Sequence, residues 1–158
     1  RDAGIDDHLT RPIALDTLIR EVLVFLEKEA SYRRITITVD AEAALPTIES
    51  DRGQLQQLFL NIINNALDAM SENGRLEIRL ESRGREAVSV TIKDDGCGIP
   101  KQDLDRIFEP FFSRKSQGTG LGLSISYGIV EKLGGRISGT SEVGRGTEFT
   151  VVLPVKRR

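Results

Sequence analysis

The sequence has only one cysteine, Cys97, among its 158 residues. A single cysteine cannot form an intramolecular disulfide, so this composition fits a reducing compartment. No apolar run approaches the ~18 residues that a membrane-spanning helix needs. We also find no segment with the basic start and apolar middle of a signal peptide. These absences predict a cytoplasmic location for the chain.

The chain has no large excess of charge of either sign. Its formal net charge is -2, and 29% of its residues are charged. This balance gives no reason to expect nucleic acid as a partner, and no long acidic run predicts a disordered tail. With 39% hydrophobic residues, the chain can build one compact core but not two. We expect residues 12–158 to form that domain and residues 1–11 to be the remnant of an upstream linker or helix.

Two familiar nucleotide-binding motifs are absent. The sequence has no Gly-x-Gly-x-x-Gly after a strand, and no P-loop with Gly-Lys-Ser/Thr. A catalytic thiol is also disfavoured, because the only histidine, His8, is far from Cys97 in the sequence.

Apolar periodicity and turn residues predict a mixed arrangement of helices and strands. A helix begins near Leu15 with Asp16 as its N-cap, and a second helix ends at Asn73-Gly74. The predicted helices are 15–26, 51–70, 102–108 and 124–133, and the predicted strands are 35–39, 76–82, 88–94, 136–141 and 147–153. This order favours a mixed, mostly antiparallel sheet with about three helices on one face.

One helix has a polar stripe next to its apolar face. Asn61, Asn65 and Asp68 are spaced i, i+4 and i+7, so they share one side of the helix. The stripe has two interpretations, a solvent-exposed face or a metal site. Amide oxygens suit Mg²⁺ that keeps several waters and shares phosphate oxygens.

Three further segments are rich in glycine. Residues 94–100 follow an apolar strand, and their glycines permit close approach of a ligand, although an ordinary Asp-Gly turn has the same pattern. Residues 118–123 open into a helix whose N-terminus favours an anion, with Arg114 and Lys115 just upstream. Residues 144–147 alone indicate a hairpin turn.

Together these segments resemble the conserved boxes of the sensor histidine kinase catalytic domain, within the gyrase, chaperone, histidine kinase and mismatch-repair ATPase superfamily. The N box corresponds to 61–70, the first glycine box to 94–100, the phenylalanine box to 107–115, the second glycine box to 118–123 and the last Gly-x-Gly-Thr to 144–147. The sequence Asn-Ala-Leu-Asp-Ala-Met is similar to the N box of nitrogen-regulation-type kinases. The resemblance implies a two-layer α/β sandwich with a long ATP lid.

The resemblance also implies roles for individual residues. Asn65 and Asn61 would be at the Mg²⁺ and would act in catalysis with Lys115, while Asp94 would bind the adenine amino group with support from Thr147. The other residues expected at ATP are Gly96, Gly98, Ile99, Phe108, Phe111, Arg114, Gly118, Thr119, Gly120, Leu121, Gly122 and Leu123. The phenylalanines, including Phe112, would anchor the lid.

Two positions depart from patterns in the superfamily. Asp68 stands where many members carry a lysine, which leaves its role open, and Lys115 or Arg114 would compensate for the phosphate contact. Hydrolases of the superfamily have a glutamate base where this chain has Asn61, which favours phosphoryl transfer over hydrolysis. His8 does not match the acceptor motif of these kinases. The expected acceptor is therefore a histidine on a separate dimerisation domain.

The expected activity is transfer of the γ-phosphoryl of Mg-ATP to that histidine, with a response regulator receiver domain as the next partner. The isolated domain is expected to be monomeric and cytoplasmic, and this expectation allows a membrane anchor on its parent kinase. Three alternatives remain: an ATP hydrolase, a nucleotide-sensing module without transfer, and a serine kinase of the anti-sigma type.

Overall fold

The computed structural model describes residues 10–109 and 122–156. In chain order its elements are β1 (Thr10–Ile13), α1 (Leu15–Tyr32), β2 (Thr36–Ala41), β3 (Ile48–Asp51), α2 (Arg52–Ala69), β4 (Arg75–Arg83), β5 (Ala87–Asp94), α3 (Lys101–Leu104), α4 (Gly122–Lys132), β6 (Arg136–Glu142) and β7 (Gly146–Pro154).

Five strands form the main sheet, in the order β2-β4-β5-β7-β6. Only β2 and β4 are parallel, and the other neighbours are antiparallel. A separate antiparallel pair joins β1 to β3. The predicted mixed, mostly antiparallel sheet is confirmed.

One face of the main sheet is buried and the other faces solvent. On β4, Leu76, Ile78 and Leu80 are buried, while the residues between them are exposed. The helices α1, α2 and α4 cover the buried face, and α4 packs against α2. The α2 residues in this core are Leu55, Leu58, Phe59, Ile62, Ile63, Ala66 and Leu67. The domain is thus a two-layer α/β sandwich, as the resemblance implied.

The ends of α2 are defined by local interactions. The Asp51 side chain caps the N-terminus by accepting a hydrogen bond from the Gln54 backbone N–H at 3.1 Å. The helix ends at Ala69 because Met70 is extended, one residue before the predicted end at residue 70. Asn73 instead adopts a left-handed conformation in the turn that leads to β4.

Several sequence-based predictions need correction. Asp16 is not the N-cap of α1: the cap position is Ala14, which makes no side-chain hydrogen bond, and Asp16 lies in the first helical turn. There its carboxylate interacts favourably with the positive end of the helix dipole, but it does not cap a backbone N–H group. The strands β1 and β3 were not predicted, and α3 stops at Leu104 rather than Phe108.

None of the helices in the described ranges is long and apolar enough to cross a membrane.

Candidate functional site

A row of polar residues crosses three neighbouring strands at one end of the buried sheet face. Asp94 on β5 lies opposite Thr147 on β7, and Thr147 lies opposite Ser141 on β6. Residues that are directly opposite in antiparallel strands project to the same face of the sheet. The three side chains therefore lie side by side where the core ends, and Asp94 and Thr147 are buried.

Asp94 is an acceptor with little access to solvent. It is 3% exposed, and its Oδ1 accepts a hydrogen bond from the Gly96 backbone N–H at 2.8 Å. The Thr147 backbone N–H also donates to this carboxyl group. Burial raises the pKa of Asp94 above its ordinary value, with a smaller contribution from the Asp95 charge, and the two hydrogen bonds oppose the shift. The group is thus held in place with accepting capacity left for a ligand.

The Ser141 hydroxyl connects the row to the first glycine loop, which we define as residues 95–100. Ser141 Oγ accepts from the Ile99 backbone N–H at 2.7 Å and donates to the Gly146 carbonyl oxygen at 2.9 Å. The Thr147 Oγ1 lies 2.8 Å from Ser141 Oγ. Since a serine hydroxyl has one proton, Thr147 is the donor in that pair. Ser141 thereby fixes both Ile99 and Thr147.

The first glycine loop passes closely between two other elements. The Cys97 backbone N–H donates to the Ala69 carbonyl oxygen at the end of α2, and the Cys97 carbonyl accepts from Gly144. A side chain at Gly96 would overlap the Ala69 carbonyl oxygen, and one at Gly98 would overlap the Glu142 carbonyl oxygen. Gly98 also has a φ of 77°. These close approaches explain why both positions require glycine.

The two asparagines of the polar stripe on α2 lie at increasing distance from Ala69, which contacts this loop. Ala69, Asn65 and Asn61 are separated by four residues each, so they follow one side of the helix with a gradual rotation. At 1.5 Å per residue, Asn65 lies about 6 Å and Asn61 about 12 Å along the axis from Ala69. A ligand anchored at Asp94 and extended along α2 would therefore pass Asn65 before Asn61.

Asn61 has one end of its amide paired and the other unpaired. Its Oδ1 accepts a hydrogen bond from Gln57 Nε2 at 2.7 Å. Its Nδ2 is buried and has no hydrogen-bond partner within the described part of the chain. This donor fits a phosphate oxygen. The amide oxygens of Asn61 and Asn65 are hard, neutral ligands that fit a Mg²⁺ ion sharing phosphate oxygens.

Phe108 links the start of the phenylalanine box to the core. Its ring centroid lies 5.5 Å from that of Tyr127 on α4 and 6.2 Å from that of Phe149 on β7. Phe149 is almost fully buried. Tilted aromatic contacts at these separations are favourable, so Phe108 is held against both layers. The expected anchoring of the lid by this residue stays a prediction.

Two carboxylates near the site contact other parts of the protein. The Asp68 Oδ1 lies 3.8 Å from an Arg33 guanidinium nitrogen, and Arg33 also donates to the Leu67 carbonyl oxygen. The Asp95 Oδ1 accepts from the Arg75 backbone N–H at 2.9 Å, where β4 begins. Both carboxylates therefore have structural contacts.

The structure brings only some of the expected site residues together. Asp94, Thr147 and the first glycine loop meet at the end of the sheet, next to the end of α2. Gly122 begins α4, and Leu123 packs partly against the core. The expected site residues Phe111, Arg114, Lys115, Gly118, Thr119, Gly120 and Leu121 lie outside the described residues, as does Phe112.

The sequence interpretation missed Ser141 and Gln57. A signal for Ser141 was present in the predicted strands 136–141 and 147–153, which leave residues 142–146 as the turn between them. Pairing Glu142 with Gly146 places Ser141 opposite Thr147. Gln57 lies one helical turn before Asn61, a spacing at which side chains meet.

Residues 50–157 match the family described as histidine kinase-, DNA gyrase B- and HSP90-like ATPases. The chain belongs to this ATPase family. Among curated relatives, it is 38% identical to the sensor histidine kinase ZraS of Escherichia coli K12 over 149 residues. That match covers 94% of this chain and 32% of ZraS. The chain spans about a fifth to a third of the length of the curated relatives it matches.

Solved structures of histidine kinases also match this ATPase domain. The catalytic domain of histidine kinase ThkA superposes with a TM-score of 0.85 at 32% identity, covering 93% of this chain and 98% of that one. ThkA in complex with the response regulator protein TrrA gives 0.80 at 30% identity, covering 92% and 42%. Full-length ShkA in complex with AMPPNP gives 0.84 at 30% identity, covering 94% and 32%. The domain is thus an ATP-binding catalytic domain of the sensor histidine kinase type.

Proposed function

We propose that this domain binds Mg-ATP and transfers the γ-phosphoryl group to a histidine on a separate dimerisation domain of its parent kinase. The observation that carries the proposal is the buried, hydrogen-bonded Asp94 carboxyl group at the end of the sheet, next to the Asn-bearing helix α2. Relatives named as sensor histidine kinases and the ShkA complex with AMPPNP support it.

Adenine recognition is assigned to the row of polar residues. The ionised Asp94 carboxyl group accepts a hydrogen bond from the exocyclic amine of adenine. The Gly96 and Thr147 backbone N–H groups hold the carboxyl group in place, so little ordering is needed when the nucleotide arrives. Thr147 supports the base through its hydroxyl group, and Gly98 and Ile99 form the loop beside it.

The phosphates are assigned to the far end of the α2 stripe and to the segment before α4. Asn65 and Asn61 would hold Mg²⁺ through their amide oxygens, and the buried Asn61 Nδ2 would donate to a phosphate oxygen. Bound Mg²⁺ would neutralise negative charge on the phosphate oxygens as the phosphoryl group leaves. The backbone N–H groups of the second glycine box and the N-terminus of α4 favour the same charge. Arg114 and Lys115 contribute cationic side chains.

The transfer step needs positioning more than a protein base. The bond between the γ-phosphorus and the bridging oxygen breaks, and ADP leaves with that electron pair. A bond forms between phosphorus and an imidazole nitrogen of the acceptor. Hydrolases of the superfamily activate water with a glutamate, and here the corresponding position is Asn61, which cannot act as a base. This difference favours an incoming imidazole over water.

The proposed partners follow from this reaction. The acceptor histidine lies on the dimerisation domain of the same parent kinase, and a response regulator receiver domain takes the phosphoryl group next. The structure of ThkA with the response regulator TrrA supports the second partner. We also propose that the isolated domain is monomeric and that it works in the cytoplasm, with a parent that can be membrane-anchored.

Transfer is tested with three purified components: this domain, ATP labelled at the γ-phosphate with Mg²⁺, and the dimerisation domain of the parent kinase. We expect acid-labile, base-stable phosphate on the dimerisation domain. The control is a dimerisation domain with its acceptor histidine changed to glutamine. ATP binding without any transfer would contradict the proposal, and acid-stable phosphate would indicate a serine kinase instead.

A further inference from the structure

Gln57 contacts Asn61 of the proposed nucleotide site although it lies outside the motifs assigned to ATP. It lies one helical turn before Asn61 on α2, and its Nε2 donates to Asn61 Oδ1 at 2.7 Å. Gln57 itself is exposed. Side chains at i and i+4 on a helix are neighbours, so this contact does not depend on any distant part of the fold.

In this hydrogen bond the Asn61 Oδ1 is the paired end of the amide, and Nδ2 is the free end. With Oδ1 paired to Gln57, the Nδ2 group is turned away from Gln57 into a buried position. It meets no acceptor there among residues 10–109 and 122–156. A buried donor without a partner is unfavourable, so an acceptor that arrives with a ligand is favoured. The phosphate oxygens of ATP are such acceptors.

We propose that Gln57 is a positioning residue for the nucleotide site. Its hydrogen bond to Oδ1 holds the Asn61 amide in the observed orientation, which leaves the NH₂ group for a phosphate oxygen and one lone pair of Oδ1 for a metal ion. Without Gln57 the amide can rotate, and part of the binding energy is used to order it again. This inference rests on the proposed ATP site.

The first test is Gln57→Met, which keeps the length and helix propensity of the side chain but cannot donate a hydrogen bond. We expect Mg-ATP affinity, measured by calorimetric titration, to fall by about threefold to tenfold, the usual worth of one hydrogen bond. The thermal unfolding midpoint should stay near that of the wild type. Gln56→Met is the matched control, because it makes the same change about 100° around the helix.

A double-mutant cycle separates positioning from a general structural effect. The variants are Gln57→Met, Asn61→Ala and the two combined. If Gln57 acts through Asn61, then Gln57→Met should weaken ATP binding in the wild-type background and have no further effect when Asn61 is already alanine. An equal loss in both backgrounds, or no loss in either, would overturn the inference.

The same measurements separate this inference from the proposed function. A wild-type domain that does not bind Mg-ATP would refute the ATP site itself. A wild type and a Gln57→Met variant that bind ATP equally, while Asn61→Ala binds weakly, would refute only the role of Gln57.

Discussion

Asp94 on β5 lies directly opposite Thr147 on β7, and the Thr147 backbone N–H donates to the Asp94 carboxyl group. A second donor, the Gly96 backbone N–H, reaches the same carboxyl group from the loop that follows β5. Strand pairing and loop geometry therefore fix one buried acceptor before any ligand arrives. This arrangement leads to specific expectations for binding, pH dependence and mutation.

Asp94→Asn should weaken ATP binding by about tenfold to a hundredfold, the range for losing a hydrogen bond to a charged group. The asparagine oxygen can still accept from Gly96, so the fold should be kept. Calorimetric titration with Mg-ATP measures the change. Asp95→Asn is the control, because its amide oxygen can keep the hydrogen bond from the Arg75 backbone N–H. Unchanged affinity in Asp94→Asn would refute the adenine role.

ATP affinity should depend on pH through Asp94. Its ionised form accepts the adenine amine, and burial raises its pKa above the ordinary value of 3.8. Affinity should therefore fall as pH is lowered through the raised pKa, before ordinary aspartates are protonated. Titrations across this range should show the fall in the wild type and a flatter profile in Asp94→Asn. Identical profiles in the two proteins would contradict the assignment.

Fold stability should change with pH in the opposite direction. Because the folded-state pKa of Asp94 is raised, the folded domain binds more protons than the unfolded chain between the two pKa values. The Asp94 contribution to stability is therefore most favourable below the unfolded pKa and decreases as pH rises through the folded pKa. Denaturant unfolding of the nucleotide-free domain should show this decrease relative to Asp94→Asn.

Asn65→Ala should weaken ATP binding far more with Mg²⁺ present than with the metal chelated. The reason is that alanine removes an amide oxygen assigned to the ion but no group assigned to the base. Asn64→Ala is a close control, since Asn64 is exposed and projects about 100° away on the same helix. Equal losses with and without Mg²⁺ would argue that Asn65 contacts the nucleotide rather than the metal.

Ser141→Ala should weaken ATP binding by about threefold to tenfold, because the Ile99 N–H and the Thr147 hydroxyl each lose a partner. It should also lower the thermal midpoint by a few degrees. Ser138→Ala on the exposed side of β6 is the control, and it should change neither property. A Ser141→Ala variant with wild-type affinity would show that this hydroxyl does not support the site.

Much of the fold was predictable because local pattern and tertiary structure agree. The apolar face of α2 and the alternation along β4 each bury one side, so their periodicity indicates their structure directly. The strands β1 and β3 were missed because each has only four residues. Proline and arginine in β1 and charged residues in β3 also hide any alternation. Their pairing is a tertiary contact without a local signal.

The candidate site also contains residues that the sequence predicts and residues that it does not. Asn61, Asn65 and Asp94 belong to motifs that follow one another in a recognisable order, so the sequence singles them out as candidate site residues. Ser141 and Gln57 carry ordinary polar side chains, and their importance comes only from the partners beside them. A serine on a strand acquires a role when the strand register places it beside Thr147 and Ile99.

The most direct test of the account compares ATP with GTP on the wild-type domain. Guanine carries a carbonyl oxygen where adenine carries the amine, so two acceptors would face each other at Asp94. In calorimetric titrations with Mg²⁺ at neutral pH, we expect ATP to bind at least about tenfold more tightly than GTP. Equal affinity for the two nucleotides, or no binding of ATP, would contradict an adenine site at Asp94.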